Sequence, residues 1–451
     1  NMYHSYTVDE HTLRAVGVIA DIAAGRHGED HPLATAIMPL IVDREALYLA
    51  MLLHDTGKGG AGGQEKAGAR AARQACERLG VDRSKIELVA WLVEHHLVMS
   101  DYAQKRDVSD PRTVADFASI IQTPERLRLL LVLTVADIRA VGPGVWNGWK
   151  GQLMRELYAS TEAIFRGGRG SDAAAAVRRH HENAAYDARV RLTAADPSSK
   201  DWAISMEDAY FPAFTDDEVL AHARLARQAL ERQGAAAEAK IRPGLNASEI
   251  SVAALDRERL FVDLSAALTA AGANVVGARV YTSRLGQALD VFYVQDVTGQ
   301  PFGADNPRAL PRLAQSLEAA ARGEPVKSES RRAADAGRAA AFAINPTVML
   351  DNEASELSTV VEASGRDRPG LLTALAAVLA DAGLSILSAH IDNYGERAVD
   401  AFYVVDRNGK KLTDGRSQVA LRAKLMKALN DAETQPRPRA NLQRARASVA
   451  R

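Results

Sequence analysis

Residues 256–296 read DRERLFVDLSAALTAAGANVVGARVYTSRLGQALDVFYVQD, and residues 367–406 read DRPGLLTALAAVLADAGLSILSAHIDNYGERAVDAFYVVD. The second stretch matches the first with one residue deleted in a hairpin turn. The copies lie roughly 110 residues apart, too far for a solenoid and suited to a duplicated domain. Each copy runs loop, helix, strand, hairpin, strand, and STVVEAS supplies a strand ahead of the second loop. That order, completed by a later helix, predicts a ferredoxin-like βαββαβ sheet with helices on one face.

Ahead of the repeats the pattern changes. From residue 7 to about residue 230 apolar residues recur at helical spacing, as in HTLRAVGVIADIAAG, REALYLAMLLHD, KIELVAWLVEHHLVM and PERLRLLLVLTVADIRAV. The expected architecture is therefore multidomain, an all-α domain followed by two α+β domains. The boundaries read as a helical domain over 1–160, a helical extension over 161–245, α+β domains over 246–325 and 346–435, a linker over 326–345, and a basic tail over 436–451 expected to be disordered. A length of 451 residues agrees with roughly three domains of about 150 residues each.

Composition narrows the partners. The formal net charge is -1, so no global field draws the chain to nucleic acid or to an anionic membrane, and any anionic substrate needs a local site. Cys76 is the single cysteine, which excludes an intramolecular disulfide. No stretch approaches the roughly 18 apolar residues of a membrane span, and the start has no basic region followed by an apolar one. A cytoplasmic location is expected, and a homo-oligomer is left open.

The chemistry concentrates in the helical part. His54-Asp55 closes the apolar run ALYLAMLLHD and precedes TGKGGAGG. An imidazole beside a carboxylate suits a divalent cation such as Mn2+ or Mg2+. The alternative is a helix-terminal His with an Asp capping the glycine-rich loop. Three further positions favour the first reading: His11 in DEHTLRAV, Glu94-His95-His96 in AWLVEHHLVM, and Asp137 at the end of LLLVLTVADIRAV. A carboxylate on so apolar a helix is costly unless paired or coordinated. Lys58, Lys105 and Arg106 are candidates to clamp a phosphate, with solvated surface charge as the alternative. Trp146 and Trp149 could flank a base or anchor packing.

The order His11, His54-Asp55, Asp137 resembles the HD phosphohydrolase superfamily, and the resemblance implies that these four residues ligate a metal ion that activates water and neutralises phosphoryl oxygens. It also implies that His95 and His96 position the water or a second ion. The stretches YHSYTVDEHTLR, LLHDTGKG, LVEHHLVMSDYAQKRDVSDP and TVADIRAVGPGVWNGWKGQLMRELY together resemble the bifunctional uridylyltransferase/uridylyl-removing enzymes of bacterial nitrogen control. The repeats resemble that family's two ACT domains. What this implies is hydrolysis of the uridylyl-tyrosine phosphodiester on uridylylated PII regulatory protein, releasing UMP under the control of glutamine.

Other expectations follow from the same resemblance. No segment here matches the family's nucleotidyltransferase domain, so no uridylyltransferase activity is expected. In the second repeat Asp367, Arg368, Pro369, Gly370 and Leu371 resemble the ACT ligand loop, where Gly370 lets backbone amides approach a carboxylate. The first repeat has Glu258 and Arg259 in place of Pro and Gly; there Asp256 and Asn274 are the candidates. Two other functions remain open, an alarmone pyrophosphohydrolase with ACT regulation and a non-catalytic amino-acid sensor.

Overall fold

The computed structural model describes residues 6–58, 63–142, 145–167, 172–232, 234–325, 344–394 and 397–430. The expected tail and nearly all of the expected linker lie outside the described residues. The helical periodicity becomes α1 (Val8–Ala23), α2 (Pro32–Ile37), α3 (Arg44–Leu53), α4 (Gln64–Arg78), α5 (Arg83–His95), α6 (Val98–Lys105), α7 (Pro111–Ile121), α8 (Pro124–Val141), α9 (Gly148–Arg166), α10 (Ala173–Ala195), α11 (Lys200–Ser205) and α12 (Asp216–Glu231). Helix α8 is the axis. Leu127, Leu129, Leu130, Leu131 and Leu133 are all buried, and a helix apolar on every side must be surrounded. Helices α1, α2, α3, α5, α6 and α9 pack around it. Thr123 caps it by accepting the Arg126 amide, with Pro124 in the first turn.

The repeats build one antiparallel sheet from β1 (Ala235–Arg242), β2 (Ala247–Leu255), β3 (Asn274–Thr282), β4 (Gln287–Gln295), β5 (Thr347–Asp351), β6 (Thr359–Arg366), β7 (Ser385–Tyr394) and β8 (Arg397–Val405). Their order is β1-β2-β4-β3-β7-β8-β6-β5. The repeats meet where β3 pairs with β7, Ala278 opposite Ala389. Helices α13 (Leu260–Ala271), α14 (Ala309–Ala321), α15 (Leu371–Asp381) and α16 (Gly415–Asn430) share a core with the sheet.

The ferredoxin-like layout is therefore present, and its connectivity differs from expectation in one respect. Each edge strand comes before the loop-helix unit and not after the second helix, so the order is ββαββα. The cause is local: AAAEAKIR follows Gly234 and turns back at Pro243 to pair along the whole of β2, from Ala235↔Ala254 to Arg242↔Ala247. The helical extension expected to reach residue 245 thus ends its helix at Glu231 and finishes as a strand.

The sheet of the first repeat also packs against the helical half. Ala236, Ala247, Ala253, Leu289, Val291 and Tyr293 belong to the same core as the helical half, so β4 is buried along nearly its whole length, as strands covered on both faces are. Trp149 stacks on Tyr293 with ring centroids 4.1 Å apart, which makes it a packing anchor. Arg279 of β3 donates to both carboxylate oxygens of Glu156 on α9, at 2.8 and 2.9 Å. The second repeat docks on the α6–α7 turn: the Ser388 hydroxyl donates to Asp107 at 2.6 Å, the Asp107 amide donates to the Tyr403 hydroxyl at 2.7 Å, and Asp110 accepts from Ser355 and the Glu356 amide.

Candidate metal centre and effector loops

Three helices deliver the polar cluster. His11 lies on the buried stripe of α1 with Ala15, Ile19 and Ile22, a spacing that keeps one helical face inward. Helix α3 starts at Asp43, whose carboxylate accepts the Ala46 amide, and ends at His54. Asp55 follows, and Asp137 projects from α8. His11 Nε2 is 3.0 Å from Asp137 Oδ1 and 3.3 Å from His54 Nε2. His54 Nε2 is 3.5 Å from Asp137 Oδ1 and 3.4 Å from Asp55 Oδ2, while His11 Nε2 is 3.8 Å from that same Asp55 oxygen. Donor atoms of His11, His54 and Asp137 all lie within 4.8 Å of one another.

The electrostatics of this cluster favour a cation. Burial disfavours a charged His54, yet hydrogen bonds to Asp137 and Asp55 outweigh it and raise its pKa to about 10. Burial alone would raise the two carboxyls. Hydrogen bonds and charge from His54, with Lys58 for Asp55 and His11 for Asp137, hold both well below the usual range instead. Two ionised carboxylates in an apolar shell need positive charge. A divalent ion meets that need and would replace the proton on His54, leaving Nε2 as a donor. His54 Nδ1 donates to the Met51 carbonyl at 2.7 Å, which orients the ring as outer hydrogen bonds orient metal-ligating histidines. The donor set of imidazole nitrogens and carboxylate oxygens fits such an ion.

The neighbouring candidates separate into near and far. Lys58 Nζ lies 2.5 Å from Asp55 Oδ2. Its approach depends on Gly57, where a Cβ would fall 1.9 Å from the Gln64 carbonyl oxygen at the start of α4, so no larger residue fits this turn. His96 is buried, its ring centroid 5.4 Å from that of His54, and its Nδ1 donates to the Val93 carbonyl at 2.7 Å. Burial lowers its pKa, so it is neutral. His95 turns aside: it stacks on Trp91 at 4.7 Å and its Nδ1 donates to the Trp91 carbonyl. Lys105 pairs with Asp101. Trp146 packs edge-on against His31. His180 and His181 line a cavity of about 380 Å³ between α9, α10 and the β1–β2 hairpin, away from the cluster.

The two loops of the repeats follow the same backbone path. Gly370 begins α15 at φ 80, ψ 5, and Arg259 begins α13 at φ 66, ψ 9. The first loop thus keeps the left-handed conformation without the glycine that favours it. Arg259 bonds Asp381 at the end of α15, tying the first loop to the second repeat. A cavity of about 230 Å³ opens at this junction, lined by Asp256, Arg257 and Glu258 on one side and by Ser385, Leu387 and Arg407 on the other. Asn274 is not in its lining. Ser385, which holds the same place in its own repeat, is, so the structure does not bring Asp256 and Asn274 together there. Asp290 also lines it, 2 % exposed and with no hydrogen-bond partner for Oδ1. The sequence carries a signal for Asp290, a charged residue at a buried phase of ALDVFYV, and Asp400 repeats it in AVDAFYV.

Comparison with known proteins agrees with this division. Residues 8–140 match the HD domain family, and residues 354–428 match the ACR family N-terminal ACT domain. The chain is 78 % identical over 453 residues to the bifunctional uridylyltransferase/uridylyl-removing enzyme of Phenylobacterium zucineum, covering 100 % of this chain and 48 % of that protein. It is 70 % identical over 452 residues to the enzyme of that name from Caulobacter vibrioides, covering 100 % of this chain and 48 % of that protein. Against the Azospirillum brasilense enzyme it is 43 % identical over 439 residues, covering 96 % and 46 %. The chain spans about half the length of the curated relatives it matches. Among the described residues no helix is long and apolar enough to cross a membrane.

Proposed function

We propose that this chain, which belongs with the bifunctional uridylyltransferase/uridylyl-removing enzymes over the half of their length that it spans, hydrolyses the uridylyl-tyrosine phosphodiester of a uridylylated PII protein in the cytoplasm and releases UMP. The observation that carries the proposal is the buried convergence of His11, His54, Asp55 and Asp137 inside the HD domain. These four would hold Mn2+ or Mg2+, which supplies Lewis acidity toward the phosphoryl group. Asp55 and Asp137 contribute the negative charge, and His11 and His54 contribute nitrogen donors. The Lys58 ammonium, held beside Asp55, would meet a non-bridging phosphoryl oxygen.

Water attacks phosphorus as the bond to the tyrosyl oxygen breaks. His96, neutral and fixed through Nδ1, presents Nε2 to take the proton from that water. A phenol with pKa near 10 is a tolerable leaving group and needs little help from an acid. We assign His95 a lesser part, as the outward neighbour stacked on Trp91. The paired repeats, as ACT domains, would sense glutamine through the loops 256–260 and 367–371, and the domain limits read from sequence serve as the working division with the first α+β unit starting at β1.

The deciding assay follows UMP release from uridylylated PII with EDTA-treated protein reloaded with Mn2+ or Mg2+, with and without glutamine. Metal-dependent UMP release is the expected result, and its absence with either ion would end the proposal.

A further inference from the structure

We infer that the cavity at the junction of the repeats is an amino-acid site in which the carboxyl of Asp290 receives the ligand's α-ammonium group. The inference rests on the glutamine-sensing reading above and goes further, choosing between two equivalent loops and naming the group that recognises the ligand.

Asp290 stands opposite Val252 on one side and Val280 on the other within the sheet. Apolar Leu260, Val262, Val280 and Ala288 share the cavity lining with it, beside the charged Asp256, Arg257, Glu258, Arg259 and Arg407. A carboxyl with an unpartnered oxygen is unfavourable there, and a fully buried one is rarely retained without a counter-group. The charge of Asp256, which acts on it, has the wrong sign to help. An ammonium group is its complement, a compact cation with three N–H donors.

The other end of a zwitterion is provided for as well. The cavity is closed by the first turn of α13, entered through the left-handed residue Arg259, and a helix N-terminus favours a carboxylate. Burial of Asp290, which raises its pKa to about 8, is the state that an arriving ammonium would relieve. Both repeats build the walls, since Ala376, Ala380 and Ser385 come from the second. A bound amino acid would therefore bridge the repeats beside the β3–β7 seam. Absence of the Pro-Gly pair from the first loop is no obstacle, because its backbone already follows the course that Gly370 takes.

The test uses the whole chain and calorimetric titration with each of the common L-amino acids, and with 4-carbamoylbutanoate, which is glutamine lacking its α-ammonium. Asp290→Asn keeps the shape and removes the charge; Asp400→Asn changes the matching carboxyl of the second repeat. We expect Asp290→Asn to weaken glutamine binding at least tenfold, Asp400→Asn to leave it unchanged, and 4-carbamoylbutanoate to bind wild type and Asp290→Asn equally weakly. Wild-type affinity in Asp290→Asn, or an equal loss for both ligands, overturns the inference while leaving glutamine sensing intact. Binding of a different amino acid that depends on Asp290 sustains the inference and refutes glutamine as the effector. If wild type binds no amino acid, both fall.

Discussion

His54 and Asp290 bury charge in opposite ways. Around His54 two carboxylates outweigh the cost of burial, and the group becomes part of a cluster that a cation completes. We expect His54→Ala and Asp137→Ala each to lower UMP release by more than about 100-fold and to lose bound metal, because loss of a direct donor exceeds the 10–100-fold effects of outer partners. Metal analysis beside turnover checks this, and a loaded but inactive variant would point to another role for the residue. Asp290 Oδ1 has no hydrogen-bond partner, and burial, then Asp256, pushes the pKa of this carboxyl up to about 8. The charged groups around the cavity are Asp256, Arg257, Glu258, Arg259 and Arg407. Since the folded state holds this proton more tightly than the unfolded chain, Asp290 costs stability increasingly as pH rises from about 4 to about 8. Asp290→Asn without ligand should therefore raise the urea midpoint at pH 8 and change it little at pH 4. An unchanged midpoint at pH 8 would mean that the carboxyl has a partner.

At the level of elements, the first turns of α13 and α15 offer a matched pair. Both start in the left-handed region, one on Arg259 and the other on Gly370. A non-glycine residue there costs about 1–3 kcal/mol, and the exposed Arg259–Asp381 pair returns less than about 1 kcal/mol. Arg259→Gly should stabilise the chain by about 0.5–1 kcal/mol, and Gly370→Ala should destabilise it by about 1 kcal/mol or more. The nearest atom to a Cβ at Gly370 is Thr269 Cγ2 at 3.8 Å, so the second effect is conformational and not a clash. Equilibrium unfolding of the two variants tests the pair, and equal signs would contradict it. Sequence made these loops legible as a pair because the repeats align. It did not disclose β1, since Ala, Glu and Lys in AAAEAKIR favour helix locally and only pairing with β2 makes them a strand. The cluster was readable for the opposite reason: His54-Asp55 and Asp137 stand at the ends of strongly apolar helical runs, and His11 in DEHTLRAV joined them through the order of the motif. His95 and His96 were not separable, because two adjacent helical residues point about 100° apart and the direction of the centre comes only from packing.

Over the whole molecule, the helical half and the first repeat share a core, and a buried ion pair crosses between them. Removing one member of such a pair strands the other, at about 3–5 kcal/mol, whereas replacing both by apolar residues is often nearly neutral. We expect Arg279→Met alone to destabilise the chain strongly and the double variant Arg279→Met with Glu156→Met to recover most of the loss. Thermal unfolding of single and double variants decides, and additive losses would show that each residue acts separately. The β1 hairpin has a practical corollary for anyone transplanting the sensor onto another enzyme. A graft cut at residue 246, where the repeat begins to the eye, leaves behind the strand that covers Ser248, Ile250 and Val252 and exposes a row of backbone donors and acceptors to any passing chain. Any portable unit must keep the strand from Gly234 onward together with a cover for the sheet face that packs on the helical half, and of two chimeras alike in that cover the one joined at 246 should be the more prone to aggregate.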